Sequence, residues 1–129
     1  MKTFLNPPTL PRNPAFSQAV VVTDPSATIY VGGQNAVSVD GKIVGETLRE
    51  QTVQALANVE AALAAADATV GDVVRWNIAI VDGQPLGEGF AAFAQRYGVL
   101  SDPPTITVHI VAGLANPAFL VEIDAIAVR

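Results

Sequence analysis

The sequence predicts an α+β chain: a two-layer sandwich in which helices cover one face of a mostly antiparallel sheet. Three observations carry this. The segment Pro103–Arg129 alternates apolar and polar residues as strands do: Thr105, Thr107 and His109 fall on one side of Ile106, Val108 and Ile110. Phe119, Val121, Ile123, Ala125 and Ala127 likewise oppose Leu120, Glu122, Asp124, Ile126 and Val128. Residues 46–66 instead repeat Leu48, Thr52, Leu56, Val59, Leu63 and Ala66 at steps of three and four, the spacing of one helix face. The remaining strand-like runs complete the order β-β-α-β-α-β-β.

Residues 1–15 contain Pro7, Pro8, Pro11 and Pro14, which fix φ and remove donors, so an extended arm is expected. Ser17–Thr23 forms a first strand, Asp24-Pro25-Ser26 a turn, and Ala27–Gly33 a second strand rich in β-branched and aromatic residues. Its closing Gly32-Gly33 allows either a bulge or a close approach to the main chain. A loop over residues 34–44 leads to the helix, where Thr47 and Glu50 have capping-box spacing. Val73–Val81 forms a strand and Gly89–Tyr97 a second helix, with Phe90, Phe93, Ala94 and Tyr97 on one face and Gly98 as its cap. Thr105–Val111 and Phe119–Val128 form a final strand pair, joined by the turn-rich Ala112–Pro117.

At 129 residues the chain makes one domain. Half of it is hydrophobic and only 15% is charged, with a mean hydropathy of +0.39. A small domain so apolar, with apolar residues on both faces of its strands, buries the surplus against further copies, so an oligomer is expected. The net charge of −5 argues against nucleic acid, whose binding depends on neutralising phosphates. The absence of cysteine excludes thiolate catalysis, disulfides and cysteine-based zinc sites. Met1–Pro8 lacks an unbroken apolar run, so no signal peptide is expected. No window approaches the ~18 apolar residues of a membrane span, so the expectation is a cytoplasmic protein. No P-loop, Gly-x-Ser-x-Gly or dinucleotide-binding glycine motif occurs, and a single histidine gives no basis for a metal site.

Several stretches resemble the RidA/YjgF family. Ala15-Phe16-Ser17-Gln18-Ala19 is similar to its opening Pro-Tyr-Ser-Gln-Ala, and Ile29–Gln34 to its Ile-Tyr-Val-Ser-Gly-Gln. Gly71-Asp72-Val73-Val74 resembles the start of its following strand, and Val121–Val128 its closing Val-Glu-Ile-Glu-Ala-Ile-Ala-Val. The resemblance runs from about residue 11 to the end of the chain. It implies a chorismate-mutase-like fold and a homotrimer with small-molecule clefts between subunits. In the active branch those clefts hydrolyse enamines and imines to ketoacids and ammonia without metal or cofactor. The family glutamate that positions water corresponds to Glu122, and the pocket glycine to Gly33. The arginine that holds the substrate carboxylate is replaced by Thr105, the cysteine after it by Thr107, the opening tyrosine by Phe16 and the helix asparagine by Ala94. Hydrogen bonds to charged groups contribute roughly 1.5–3 kcal/mol each, which a neutral hydroxyl does not replace. The standard free-carboxylate imine is therefore not the expected substrate.

The candidate site is thus Glu122 as catalytic base, with Gly33, Thr105, Thr107, His109, Phe16 and Ala94 around the substrate. Glu122 and His109 have plainer alternatives. Glu122 is also compatible with a solvated acid, or one paired with Arg75 or Arg96, and His109 with a surface residue. Arg12 is a further cation in the arm. Trp76, Tyr30, Phe90 and Phe93 read as packing, and Glu46, Glu50 and Glu60 as a solvated helix face. Three functions follow: an imine or enamine deaminase, a binding trimer without turnover, and a holdase-like interaction protein.

Overall fold

The computed structural model describes residues 1–129. Its main sheet has four strands: β3 (Thr28–Gln34), β4 (Val73–Val81), β5 (Thr105–Val111) and β6 (Val121–Val128), in the spatial order β3-β6-β4-β5. The last strand runs antiparallel to β3 on one side and β4 on the other. β5 runs parallel to β4, as it must when α2 (Leu86–Tyr97) carries the chain back over the sheet between them. The two terminal strands are therefore not partners, contrary to the expected pair: β4 lies between them. The sheet remains mostly antiparallel, with both helices on one face, and the fold class is α+β as the sequence predicts.

The helix α1 (Leu48–Ala64) starts where Thr47 and Glu50 cap each other: Thr47 Oγ1 accepts from the Glu50 amide and Glu50 Oε1 from the Thr47 amide, both at 3.2 Å. It ends where Asp67 turns left-handed at φ +55 and the Ala68 amide reaches back to the Leu63 carbonyl. Leu48, Leu56, Val59 and Leu63 are buried, facing the alternate residues Val121, Ile123, Ala125 and Ala127 of β6. Burial of each leucine contributes about 1.5–3 kcal/mol, so this seam dominates the core. At its edge Gln51 is fully buried yet satisfied: Nε2 donates to the carbonyls of Gly45 and Ala118, and Oε1 accepts from the Leu120 amide.

The arm expected over residues 1–15 is structured at its beginning. β1 (Lys2–Leu5) pairs with β2 (Ala19–Val22) as a separate two-stranded ribbon. Thr3, Phe4 and Leu5 are ordinary strand residues, and the prolines that bar pairing begin only at Pro7. The proline-rich loop after β1 is tied down at Ser17, whose amide donates to the Pro104 carbonyl at the head of β5. A single turn of 3-10 helix (Val70–Asp72) links α1 to β4.

Candidate functional site

The face of the sheet turned away from the helices has no cover within the chain, and strand register arranges its side chains in rows. Glu122, Ala79 and His109 form one row across β6, β4 and β5. Asp124, Asn77 and Thr107 form the next, then Ile126, Arg75 and Thr105. Sequence periodicity puts both acids on this face, but their neighbours separate them. Asp124 accepts from Asn77 Nδ2 at 3.0 Å. Glu122 faces Ala79, which offers nothing, and the side chain joins no ion pair; Arg96, one of its expected partners, binds Glu60 instead.

The feature that singles out Glu122 is Gly33. The β3–β6 register shifts between Val31 and Gln34, and this irregularity brings the Gly33 backbone down onto the carboxyl group. A Cβ built on Gly33 would stand 2.7 Å from both Cδ and Oε2 of Glu122. Any larger residue here would displace the Glu122 carboxyl group, a constraint of space rather than of a left-handed backbone. The half-buried carboxylate is thus walled on one side by bare main chain and left without a partner.

Thr105 is half-buried, and its hydroxyl donates to the Val74 carbonyl at 3.0 Å, so its proton is already committed. Its row neighbour Arg75, which sequence reasoning considered only as a partner for Glu122, is exposed and in no ion pair. Thr107 is half-buried beside Asn77, whose Oδ1 is buried without a donor. His109 is exposed and lies two strands from Glu122, roughly 10 Å between backbones at the usual strand spacing, and forms no ion pair with it. Arg12 is exposed in the proline-rich loop and joins no ion pair.

Phe16 and Ala94 lie elsewhere, on the wall of an apolar cavity of about 470 Å³ between α2, the proline-rich loop and the helix-side face of β5. Neither Glu122 nor Gly33 touches this cavity, so one chain does not unite the expected site. Trp76 and Phe93 pack there as expected, their rings edge to face at 5.0 Å with Tyr97 stacked on Trp76, whereas Phe90 is 47% exposed. Tyr30 does not join them: it is 77% exposed, on the open sheet face opposite Ile126.

Glu60 is not the solvated acid the helix pattern suggests. Arg96 donates to both of its oxygens, at 2.7 and 2.9 Å, and the Tyr97 hydroxyl donates to Oε2 at 2.6 Å. The bonds from Arg96 hold its carboxyl below the ordinary value, while burial, then the bond to Glu60, pushes the Tyr97 phenol up. The reach from α2 to α1 is non-local, and no sequence spacing signals it. No three His, Cys, Asp or Glu side chains gather in a metal-binding arrangement, and no helix is long and apolar enough to cross a membrane.

The chain is thus of the two-layer α+β class, with one sheet face under helices, the other uncovered, and a lone carboxylate under a glycine on the open face. Comparison with known proteins defines that class further. The family described as Endoribonuclease L-PSP matches residues 10–129. The chain is 34% identical to YyfB, a conserved Rid family protein of unknown function from Yersinia pestis, whose crystal structure superposes with a TM-score of 0.85 over 99% of this chain and 98% of that one. It is 29% identical to a YjgF/YER057c/UK114 family member from Mycobacterium tuberculosis, with a TM-score of 0.68 over the full length of both. The mitochondrial protein mmf1 of Schizosaccharomyces pombe is 31% identical over 99% of this chain and 76% of its own length. The chain belongs to the RidA/YjgF family.

Proposed function

We propose that the chain assembles as a homotrimer whose intersubunit clefts bind a small molecule and hydrolyse an enamine or imine to a carbonyl compound and ammonia. The observation that carries this reading is Glu122: a half-buried carboxylate pressed by Gly33 and engaged by nothing else in the chain. Such a group is free to take a proton from water as the water oxygen bonds to the imine carbon. Passing that proton to nitrogen regenerates the carboxylate and gives the carbinolamine; moving the hydroxyl proton to nitrogen, again through the carboxylate, as C=O forms and the C–N bond breaks then yields the carbonyl compound and ammonia. No metal or cofactor enters this scheme.

The placement of the remaining residues supports that assembly. Phe16 and Ala94 lie in the helix layer beside β5, and Glu122 lies on the opposite face beside β3. β3 and β5 are the two edges of the sheet. A head-to-tail contact that sets the helix-layer wall beside β5 of one copy against the open sheet face of the next would join the two halves, and such a contact closes into a ring where its rotation allows. The substrate is not the standard free-carboxylate imine, because Thr105 is neutral and its proton is committed to Val74. That commitment also favours a second reading, a binding or holdase-like trimer without turnover. The family's printed name is that of a ribonuclease, but twelve acids against seven Lys and Arg leave little with which to neutralise phosphates. We further propose a cytoplasmic location, which fractionation tests.

The deciding assay measures ammonia and carbonyl release from 2-aminoacrylate and from a panel of imines generated in situ. Wild type is run beside Glu122→Ala and Thr105→Arg. Turnover of uncharged imines, abolished by Glu122→Ala, supports the deaminase. A silent wild type and a Thr105→Arg variant that gains activity on 2-aminoacrylate support the binding trimer on a retained scaffold. A monomer by light scattering overturns every version with an intersubunit cleft.

A further inference from the structure

We propose that Asp82 is a site of spontaneous covalent modification, the conversion of aspartate to isoaspartate through a succinimide ring, and that the fold directs this chemistry there and away from Asp40. The reaction needs an aspartyl carboxyl group and the backbone N–H of the next residue free to reach it. A side chain on that next residue hinders the approach, so glycine favours it. Asp40 and Asp82 precede glycine and no asparagine does, while Asp24 and Asp102 precede prolines, which have no N–H.

Solvent access does not separate the two sites. Both aspartates and both glycines are exposed, Gly41 and Gly83 have φ of +79 and +87, and a Cβ built on either glycine would meet nothing within 4 Å. What differs is the place of the dipeptide in its turn. Asp40-Gly41 takes the last two positions of the turn Ser38–Gly41, so the Gly41 amide is the donor that closes it, at 2.9 Å on the Ser38 carbonyl. The Ser38 amide on the Lys42 carbonyl at 2.8 Å and the Lys42 amide on Ser38 Oγ brace the same turn. The Gly41 nitrogen is thus occupied. Asp82-Gly83 instead takes the two central positions of Val81–Gln84, between β4 and α2. There the closing bond runs from the Gln84 amide to the Val81 carbonyl, at a long 3.4 Å. The Gly83 amide makes no hydrogen bond within the chain, and the Asp82 side chain joins no ion pair.

In the first step the Gly83 nitrogen bonds to Asp82 Cγ, and the carboxyl oxygen leaves with the amide proton as water. A second water then opens the ring. Attack at Cγ restores aspartate, whereas attack at the α-carbonyl leaves the main chain running through the side chain, with a free α-carboxylate. The isoaspartyl link is one carbon longer, and the long Gln84 bond is the turn bond that spans it, so the fold survives the change. The free α-carboxylate is the group that an S-adenosylmethionine-dependent isoaspartyl methyltransferase esterifies, which defines the class of enzyme that would act on the product.

The full-length protein is aged at physiological temperature and neutral pH, then digested with trypsin, which places Asp40 in Asn13–Lys42 and Asp82 in Trp76–Arg96. Isoaspartate is read by fragmentation of each peptide and by transfer of a labelled methyl group from S-adenosylmethionine. It should accumulate in Trp76–Arg96 about fivefold faster or more, the factor by which one typical hydrogen bond withholds the Gly41 nitrogen. In urea, where neither turn persists, the two rates should converge. Asp82→Asn and Asp40→Asn pass through the same ring with loss of ammonia, read as a gain in mass, and should keep the same order. Absence of isoaspartate at Asp82, comparable rates in the folded protein, or a preference that persists in urea overturns the proposal. None of these outcomes depends on turnover or on Glu122.

Discussion

Gly33→Ala tests whether the contact with Glu122 is what demands glycine. The new methyl would stand 2.7 Å from the carboxyl carbon and Oε2 and 3.0 Å from Cγ. Carbon atoms pack at about 3.5–4.0 Å, so the carboxyl group must withdraw by about 1 Å. It has room to do so, because the open sheet face has no cover within the chain, at an off-rotamer cost of about 0.5–1.5 kcal/mol. Alanine in a strand recovers roughly 0.5–1 kcal/mol relative to glycine, and the Gly33 backbone is not left-handed, so nothing opposes that gain. Net stability should therefore stay within about 1 kcal/mol of wild type, a shift of no more than about 5 °C in Tm. Activity should respond far more, since a catalytic group misplaced by 1 Å costs on the order of 10²-fold in rate. A thermal-melt cycle isolates the contact without reference to activity: in a Glu122→Ala background the obstructing side chain is gone, and Gly33→Ala should become neutral or stabilising. Equal stability changes in the two backgrounds would refute the steric argument, and wild-type turnover in Gly33→Ala would refute the catalytic one.

Other expectations follow from the core and the helix surface. Gln51→Leu strands the carbonyls of Gly45 and Ala118 and the Leu120 amide; at about 1–3 kcal/mol for each buried group left unpaired, urea unfolding should register a loss of about 3 kcal/mol or more. Leu56→Ala, at a position with no exposure, should cost about 3–5 kcal/mol in the same assay. Glu60→Gln should cost about 1 kcal/mol or less at pH 7, because both partners remain about a third exposed. Since folding lowers the Glu60 carboxyl from its ordinary 4.5, its contribution is present above that value and lost as pH falls through the folded one. The stability gap between wild type and Glu60→Gln should therefore close in acid; a gap independent of pH would refute the ion-pair account.

What the sequence discloses and what it conceals divide along local and non-local lines. The period of two in Thr105–Val111 and in Val121–Val128, and the three-four spacing from Leu48 to Leu63, depend only on neighbours in the chain, and those elements are legible to within a few residues. Strand pairing is not local in that sense. The expected terminal pair does not form, because nearness in sequence does not decide which strands pair. The strand-helix-strand succession from Val73 to Val111 carried the corrective signal: two strands joined by a helix of this length run parallel, which seats β5 beside β4 and sends β6 elsewhere. The same blindness affects the site. Alternation marks Glu122 and Asp124 as equivalent, and only register distinguishes the acid opposite Asn77 from the one opposite Ala79. Gly33 was legible as a close approach or a bulge, and it is both, but what it approaches lies 89 positions further along the chain. The reach of Arg96 and Tyr97 to Glu60 and the cavity lined by Phe16 and Ala94 are longer-range still, since they depend on how α2 settles over the sheet. A single chain then separates residues that the family resemblance places around one substrate, leaving Glu122 near one sheet edge and Phe16 near the other. On the proposed reading the complete site is a property of the assembled ring, one step beyond what either a sequence or a single fold contains.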